Sequence, residues 1–408
     1  MNIATEEIPN VELDILQEAK QKCLEILCKN ISVKGVAASI ENYPQVWARD
    51  SVITLFGATV DGNSQLLEAF RFSLETLGAH QDRFGHIPNY VRLDNSRVDY
   101  QSCDSTIWFI IGSCIYGERS GDTEWLKRQA PAIRKALDWC EMRDFLKDGL
   151  ICSQEADDWA DLMSNHGHVL FTNALMVWAT RLASTHLREI YPEEAKHWGD
   201  RSELTATSVR TMFWPAAPGT FVDKTHFQVR AQMSLTLRSV PFFVPWISVF
   251  EFGKRFDTPG NLMAILSGVA SQPQASSILN FIRQEGMDTP YPVRVLHPVV
   301  QPGESDWRDY FMVWGHGLPY HYQNGGSWPW VGAFYIAALV KAGKLDRAQE
   351  QLIALAHALK QGKDAPWECN EWLHGQRGEA MGAKFQAWSA GMFLYALHCV
   401  ETGEVPGF

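Results

Sequence analysis

Helical periodicity runs through nearly all of this 408-residue chain, and the links between the helices alternate in length. Apolar residues at three- and four-residue spacing predict helices at about 12–29, 50–61, 63–80, 103–118, 122–143, 167–190, 192–212, 240–255, 259–284, 328–342, 345–361 and 384–401. Pro273 breaks the ninth. Short links fall at 61–63, 119–122, 190–192 and 342–345; long ones fall at 30–49, 81–102, 144–166, 213–239, 285–327 and 362–383. Antiparallel hairpins in this rhythm put tight turns on one face and long loops on the other, where function gathers. The pattern predicts an all-α fold, an (α/α)6 toroidal barrel of about twelve helices.

Local signals agree with that reading. Asp61/Asn63, Asp122-Thr123 and Ser327 ahead of Trp328-Pro329 suit helix starts. Gly62, Gly121 and Gly343 suit helix ends. Strand-like runs occur only at 219–231 and 290–300, which predicts a small β-hairpin among the long loops. No linker, low-complexity tract or exact repeat interrupts the chain, so residues 1–408 read as one domain.

A hydrophobic content of 46% supplies a large core, and a net charge of −11 disfavours nucleic acid or an anionic membrane as partner. Residues Met1 to Asn10 lack a basic, apolar leader, and no run approaches the ~18 apolar residues of a membrane span. The eight cysteines include no C-x-x-C pair and are expected to be reduced. These features predict a cytoplasmic protein, and the sequence carries no sign of its oligomeric state.

Two tryptophan-framed acidic segments lie far apart: Glu155-Ala156-Asp157-Asp158-Trp159-Ala160-Asp161, and Trp367-Glu368-Cys369-Asn370-Glu371-Trp372 followed by Phe385-Gln386-Ala387-Trp388-Ser389. An indole stacks on the apolar face of a pyranose while a carboxylate handles protons, so such pairs suit sugar chemistry. Only a fold that closes on itself brings both segments together. In Trp47-Ala48-Arg49-Asp50 the charged pair can bind adjacent hydroxyls or form a helix-start salt bridge. Phe84-Gly85-His86-Ile87-Pro88-Asn89-Tyr90 reads as a turn, and Asp104 as a helix cap or a ligand contact. His166-Gly167-His168 lacks third and fourth ligands at metal-site spacing. Tyr322-Gln323-Asn324-Gly325-Gly326-Ser327-Trp328-Pro329-Trp330 lacks a phosphate-loop lysine, and no G-x-S-x-G elbow occurs.

In order, W-x-R-D, G-x-I-P-N, an aspartate helix start, W-x-D, N-G-x-x-W-P, a glutamate segment and Q-A-W-S resemble the (α/α)6 glycoside hydrolases over about residues 40–400. The likeness is to the glycogen-debranching (amylo-α-1,6-glucosidase) domain and to the alkaline/neutral invertases, the latter echoed in His166-Gly167-His168. The resemblance implies Asp161 as general acid, with Asp157 and Asp158 as rivals, and Glu371 as general base. It implies Arg49, Asp50 and Asp104 around the −1 sugar, and further substrate contacts from Trp47, Asn89, Trp159, His168, Asn324, Trp328, Trp372, Gln386 and Trp388. It also implies inverting hydrolysis of a small, α-glucosyl saccharide, with carboxyl groups roughly 6.5–9.5 Å apart and no metal or organic cofactor. Sucrose cleavage is the alternative. A sugar 2-epimerase on the same barrel, using a pair from His86, His166, His316, His321 and His374, and a non-catalytic saccharide-binding module are further readings.

Overall fold

A computed structural model describes residues 10–215, 227–237 and 240–408. Among them are thirteen α-helices: α1 (Asn10–Lys29), α2 (Ala48–Asp61), α3 (Ser64–Ala79), α4 (Asp104–Ser120), α5 (Thr123–Glu141), α6 (Leu170–His186), α7 (Pro192–Phe213), α8 (Phe227–Thr236), α9 (Thr258–Leu266), α10 (Gln272–Gln284), α11 (Pro329–Lys341), α12 (Leu345–Lys360) and α13 (Ala387–Thr402).

Two kinds of helix alternate along the chain. In α5, the buried residues Trp125, Leu126, Ala130, Ile133, Ala136, Leu137 and Cys140 form one stripe, the signature of a helix with a single covered face. Helix α4 is buried all round from Asp104 to Gly117, and α11 from Pro329 to Val340. The fully buried set closes a ring in the order α2, α4, α6, α9, α11, α13 and back to α2. Outside it, α3 packs on α2 and α4, α5 on α4, α7 on α6, α12 on α11 and α13, and α1 on α12 and α13. This is the expected (α/α)6 barrel. Closure between α2 and α13 depends on glycine: a Cβ on Gly57 would lie 1.9 Å from the Gly391 carbonyl oxygen. Mid-helix glycine costs roughly 1 kcal/mol relative to alanine, offset here by the close crossing it permits.

Every short link runs from an inner to an outer helix, and every long link returns to the N-terminus of an inner one. All long loops therefore gather at one end. The expected caps hold at Asn63, which accepts from Gln65 and Leu66 N–H, and at Asp122, which accepts from Trp125 N–H. Gly62 and Gly121 are left-handed at their helix ends. At α11 the cap is Trp328, one residue beyond Ser327, with Pro329 in the first turn. Pro273 lies in the first turn of α10, after the break at Ser267–Ser271.

Two sequence expectations fail. Residues 240–255 are not a helix; Pro241 and Pro245 remove the backbone donors a helix needs there, and an unbroken apolar run imitates helical periodicity. The helix in that link is α8. Of the expected 219–231 strand, residues 219–226 lie outside the described residues and 227–231 are helical. Within 290–300 only Leu296–His297 is a strand, paired with Phe256–Asp257. Other short pairings collar the inner helix starts: Gln45–Trp47 with Tyr90–Arg92, His168–Val169 with Trp246–Ile247, and Trp372–Leu373 with Ala380–Met381. Strands of two or three residues are too short to show a period of two.

The opposite end is filled. After the left-handed Gly403, the chain turns inward and Phe408 stacks on Trp178 at 4.1 Å and on Phe56 at 5.7 Å. Trp178 Nε1 donates to the Gly407 carbonyl at 2.8 Å, and the Tyr395 hydroxyl to the Pro406 carbonyl at 2.8 Å.

Candidate active site

At the long-loop end the ring leaves a cavity of about 230 Å³. Its walls carry Trp47, Arg49, Asp50, Trp159, Asp161, Trp328, Glu371, Gln386 and Trp388, all singled out from the sequence, together with Tyr43, Tyr322 and Gln323, which were not. The two acidic tryptophan segments thus meet.

Indoles build the walls. Trp159 meets Trp328 edge-on at 5.5 Å and Trp330 at 5.3 Å, while Trp330 stacks with Trp388 at 5.5 Å. Edge-to-face and offset pairs of this kind add roughly 0.5–1.5 kcal/mol each beyond the area they bury. They tie the 142–169 link to α11 and α13. Trp388 Nε1 and Gln386 Oε1 are buried and find no partner among the described residues, so both are available to a ligand.

Of the three clustered aspartates, only Asp161 lines the cavity, at its solvent-facing rim. Asp157 is held by Arg143 and by the Gln154 N–H at 3.0 Å. Asp158 is buried and accepts the Ala160 N–H at 2.8 Å. Gln323 positions Asp161: its Nε2 donates to Asp161 Oδ1 at 2.9 Å while its Oε1 accepts the Leu162 N–H at 2.9 Å. Glu371 is buried, and its Oε2 accepts the Ala383 N–H at 3.0 Å. The neighbouring Gly382 has φ +69°, and a Cβ there would lie 2.6 Å from Glu371 Oε2. In these loops Tyr320, Tyr322, Trp367, Cys369 and Phe385 also adopt left-handed backbone (φ 65°, 39°, 66°, 44° and 59°). Such conformations cost energy and concentrate where geometry serves a site.

Behind the wall, Arg49 Nη1 donates to both oxygens of Asp104 at 2.8 and 2.7 Å, and the Ser102 hydroxyl also donates to Asp104. Asp104 is therefore an anchor for Arg49, one layer removed from the cavity, and neither a helix cap nor a direct contact. Burial works against the Arg49 charge, but Asp104 and Asp50 hold its pKa above the ordinary value.

The carboxyls are raised by lost hydration. Burial pushes Glu371 up to about 7, with repulsion from Asp50 and Asp161 adding to it and the Ala383 bond opposing. Burial likewise takes Asp50 to about 7 against the pull of Arg49. Asp161 is raised by burial, with Arg49 and the Gln323 bond opposing. Tyr43 is held as the neutral phenol by burial and by the charges of Glu371, Asp50 and Asp161.

Four further sequence candidates do not line the cavity. Asn89 Oδ1 accepts the Ser102 N–H at 2.8 Å, fixing the turn before α4. Asn324 is fully buried and clamps its loop by donating to the Val300 and Gly317 carbonyls at 2.9 and 2.8 Å. His168 is buried 3.0 Å from Asp148. Trp372 is buried behind Tyr322, ring centroids 5.9 Å apart. None of His86, His166, His316, His321 and His374 is among the lining residues. Among the described residues no group of three or more His, Cys, Asp or Glu could hold a metal ion, and no helix is long and apolar enough to cross a membrane.

A closed double ring of helices with a carboxylate-lined, indole-walled cavity at its loop end defines an (α/α)6 glycosidase-type protein. The family model described as amylo-alpha-1,6-glucosidase matches residues 18–240, and that described as alkaline and neutral invertase matches 238–402. The chain is 30% identical to neutral/alkaline invertase 1, mitochondrial, of Oryza sativa subsp. japonica, covering 91% of this chain and 67% of that protein. It is 26% identical to probable alkaline/neutral invertase D of Arabidopsis thaliana, covering 88% and 76%. The mannosylglycerate hydrolase structure from Thermus thermophilus superposes with a TM-score of 0.69 at 14% identity over 92% of this chain and 99% of that one. A rhamnosidase from Klebsiella oxytoca gives 0.66 at 15% over 97% and 64%; both share the fold. The chain belongs to the (α/α)6 glycoside hydrolases, in the group that joins the amylo-α-1,6-glucosidases to the alkaline and neutral invertases.

Proposed function

We propose that residues 1–408 act as one catalytic unit, an inverting hydrolase that releases a terminal α-glucosyl residue from a small saccharide. One observation carries the reading: Asp161 and Glu371 line the same cavity, each with one carboxylate oxygen fixed by a donor and the other left for chemistry. Asp161 stands at the open rim, where a leaving group departs, and protonates the glycosidic oxygen from Oδ2. Glu371 lies buried on the inner wall, and its Oε1 takes a proton from water attacking the opposite face of the ring. Raised carboxyls suit proton transfer near neutral pH. Arg49 and Asp50 bind hydroxyls of the terminal sugar, Gln386 and Trp388 offer further polar atoms, and Trp47, Trp159 and Trp328 pack on its apolar faces. A cavity of about 230 Å³ is below the ~300–1,000 Å³ of typical ligand sites, which favours a single terminal ring over a branched polymer chain.

Sucrose is the second reading, favoured by plant invertases that align with 88–91% of this chain. A cytoplasmic setting accords with one relative named a cytosolic invertase, although others are named mitochondrial or chloroplastic. Incubating the protein with isomaltose, maltose, sucrose and trehalose under anomer-resolved NMR tests both readings. β-Glucose appearing first from isomaltose supports the primary proposal, and from sucrose the second. The leaving glucose of isomaltose or maltose appears as its equilibrium anomers and that of trehalose as α-glucose. Inversion is therefore refuted by α-glucose appearing first from sucrose or in excess of those amounts from the others, and no turnover of all four refutes the substrate class.

A further inference from the structure

His166-Gly167-His168, singled out in the sequence, does not line the cavity that holds Asp161 and Glu371. Its geometry leads to a neighbouring one. Gly167 is left-handed at φ +74°, and a Cβ there would lie 2.6 Å from the Ile247 carbonyl oxygen. Glycine lets the 142–169 link run this close to the collar pairing of His168–Val169 with Trp246–Ile247. The approach sets the His166 ring against Trp246, centroids 4.2 Å apart, while His166 Nδ1 lies 2.9 Å from the Ser164 carbonyl oxygen.

Beside that contact lies a second cavity, of about 310 Å³, which shares no lining residue with the first. Its volume falls within the ~300–1,000 Å³ of typical ligand sites. Its walls come from the link that carries Asp161 (Ser164), from α8 (Gln232), from the collar (Trp246, Phe250 and Lys254) and from the 285–327 link (Arg308). Asp161 and Ser164 are three residues apart, no more than ~10 Å of chain. The two cavities are therefore neighbours at the loop end.

Aromatic surface is held out to solvent here on a firm turn. Ser248 N–H donates to the Glu251 carbonyl at 2.8 Å, Glu251 N–H donates back to the Ser248 hydroxyl at 3.1 Å, and Gly253 N–H donates to the Trp246 carbonyl at 2.9 Å. Phe250 at the tip is 71% exposed, and Leu235, one helical turn after Gln232, is 70% exposed. Apolar side chains gathered at one rim mark a contact surface. The charged groups lining the cavity cancel. Arg308 is matched by Glu155 at 3.1 Å and Asp306 by Arg255 at 2.9 Å. That leaves Lys254 and Glu251, one charge of each sign, which form no ion pair among the described residues. Such a balance selects neither an anion nor a cation. Ring surfaces beside amide, ammonium and carboxylate groups suit a neutral polyhydroxylated ring, whose C–H face stacks while its hydroxyls donate and accept.

We propose that this cavity is a second, non-catalytic saccharide-binding site. A neutral pyranose stacks on Phe250 and on the open edge of Trp246, and its hydroxyls bond to Gln232, Glu251 and Lys254. The site binds without cleaving: Asp306 is neutralised by Arg255, which leaves Glu251 alone where glycoside hydrolysis needs two carboxyl groups. It does not require the neighbouring cavity to be catalytic.

The test uses the full chain carrying Glu371→Gln, isotope-labelled at the indole nitrogens and titrated by NMR with isomaltose, maltose and sucrose. The Nε1–H signals of Trp246 and Trp388, identified by their loss in Trp246→Phe and Trp388→Phe, report the second and the first cavity. The Trp246 signal is expected to shift saturably, with a midpoint of its own. Adding Phe250→Ala, a change at an exposed turn tip, is expected to raise that midpoint about tenfold and to leave the Trp388 titration in place. A Trp246 signal unmoved by all three sugars at tens of millimolar, or a midpoint indifferent to Phe250→Ala, overturns the proposal. A shifting Trp246 beside a silent Trp388 supports it and counts against the first cavity instead.

Discussion

At the short-link end of the inner ring, Phe408 lies against Phe56 and Trp178 and the centre is solid. At the long-link end, Trp159, Trp328 and Trp388 are just as closely packed on one side but leave a cavity on the other. Aromatic content does not separate the two ends; helix polarity does. All six inner helices point their N-termini at the cavity, and a helix N-terminus carries about half a positive charge. Carboxylates gather there accordingly: Asp50 and Asp104 in first turns, and Asp257 capping α9. The C-terminal end has no such pull, and the returning chain fills it with a ring. One end of the barrel is therefore arranged for charge at some cost in stability, and the other for stability alone.

Variants at the two ends should dissociate activity from folding. The largest effect belongs to the cavity: Asp161→Asn and Glu371→Gln are each expected to lower kcat by at least the ~10²–10⁴-fold carried by a general acid or base, with an unchanged circular-dichroism spectrum. Substantial remaining turnover in either purified variant contradicts the assigned role. Phe408→Ala is expected to do the converse. Emptying the plug costs roughly 2–4 kcal/mol in urea unfolding, at the lower part of the range for aromatic truncation because the ring is partly exposed, while the folded fraction keeps its kcat. An equal loss of kcat would mean that the plug shapes the cavity, and the two ends would no longer be separable.

The stability cost at the cavity end has a pH signature. Glu371 and Asp50 have folded-state pKa values of about 7, above their ordinary 4.5 and 3.8. Between those limits the native protein holds protons that the unfolded chain has released, so stability is greatest in acid and falls as pH rises towards 7. Glu371→Gln removes its share of that slope. At pH 8 the inactive variant is expected to be more stable than the parent by on the order of 3 kcal/mol, and at pH 4.5 by almost nothing. Parallel stability–pH curves for the two proteins would show that Glu371 is not strained by burial.

Much of this asymmetry was legible in the chain, for uneven reasons. The ring was readable because link lengths follow from connectivity and one-sided helices announce themselves by period. The same criterion misplaced a helix at 240–255, where apolar residues line a collar of short strands and periodicity cannot tell a buried strand from a buried helix. At the site, motif order found the right loops but was one residue out in Tyr322-Gln323-Asn324, where Gln323 faces the cavity and Asn324 clamps the loop. Tyr43 carried no signal beyond the proline after it. Which of Asp157, Asp158 and Asp161 faces the cavity depends on Arg143, the Ala160 N–H and Gln323. Gln323 comes from another part of the chain and Arg143 from the far end of the same link, and local spacing records neither.

Gln323 gives the smallest effect and the sharpest discrimination. Its amide donates to Asp161 Oδ1, and a donor to a carboxylate favours the ionised form. Gln323→Leu therefore raises the Asp161 carboxyl, at a cost of roughly 1–2 kcal/mol in transition-state stabilisation, the scale of one hydrogen bond to a charged group. A general acid must be protonated to act. With Asp161 as acid, the alkaline limb of the kcat/KM profile moves to higher pH and the acidic limb, set by Glu371, stays in place. Burial holds the Glu371 carboxyl up at about 7, which taken alone would suit the reverse roles. In that case Asp161 must be ionised, and the same substitution shifts the acidic limb upward instead. The limb that moves assigns acid and base independently of any family correspondence.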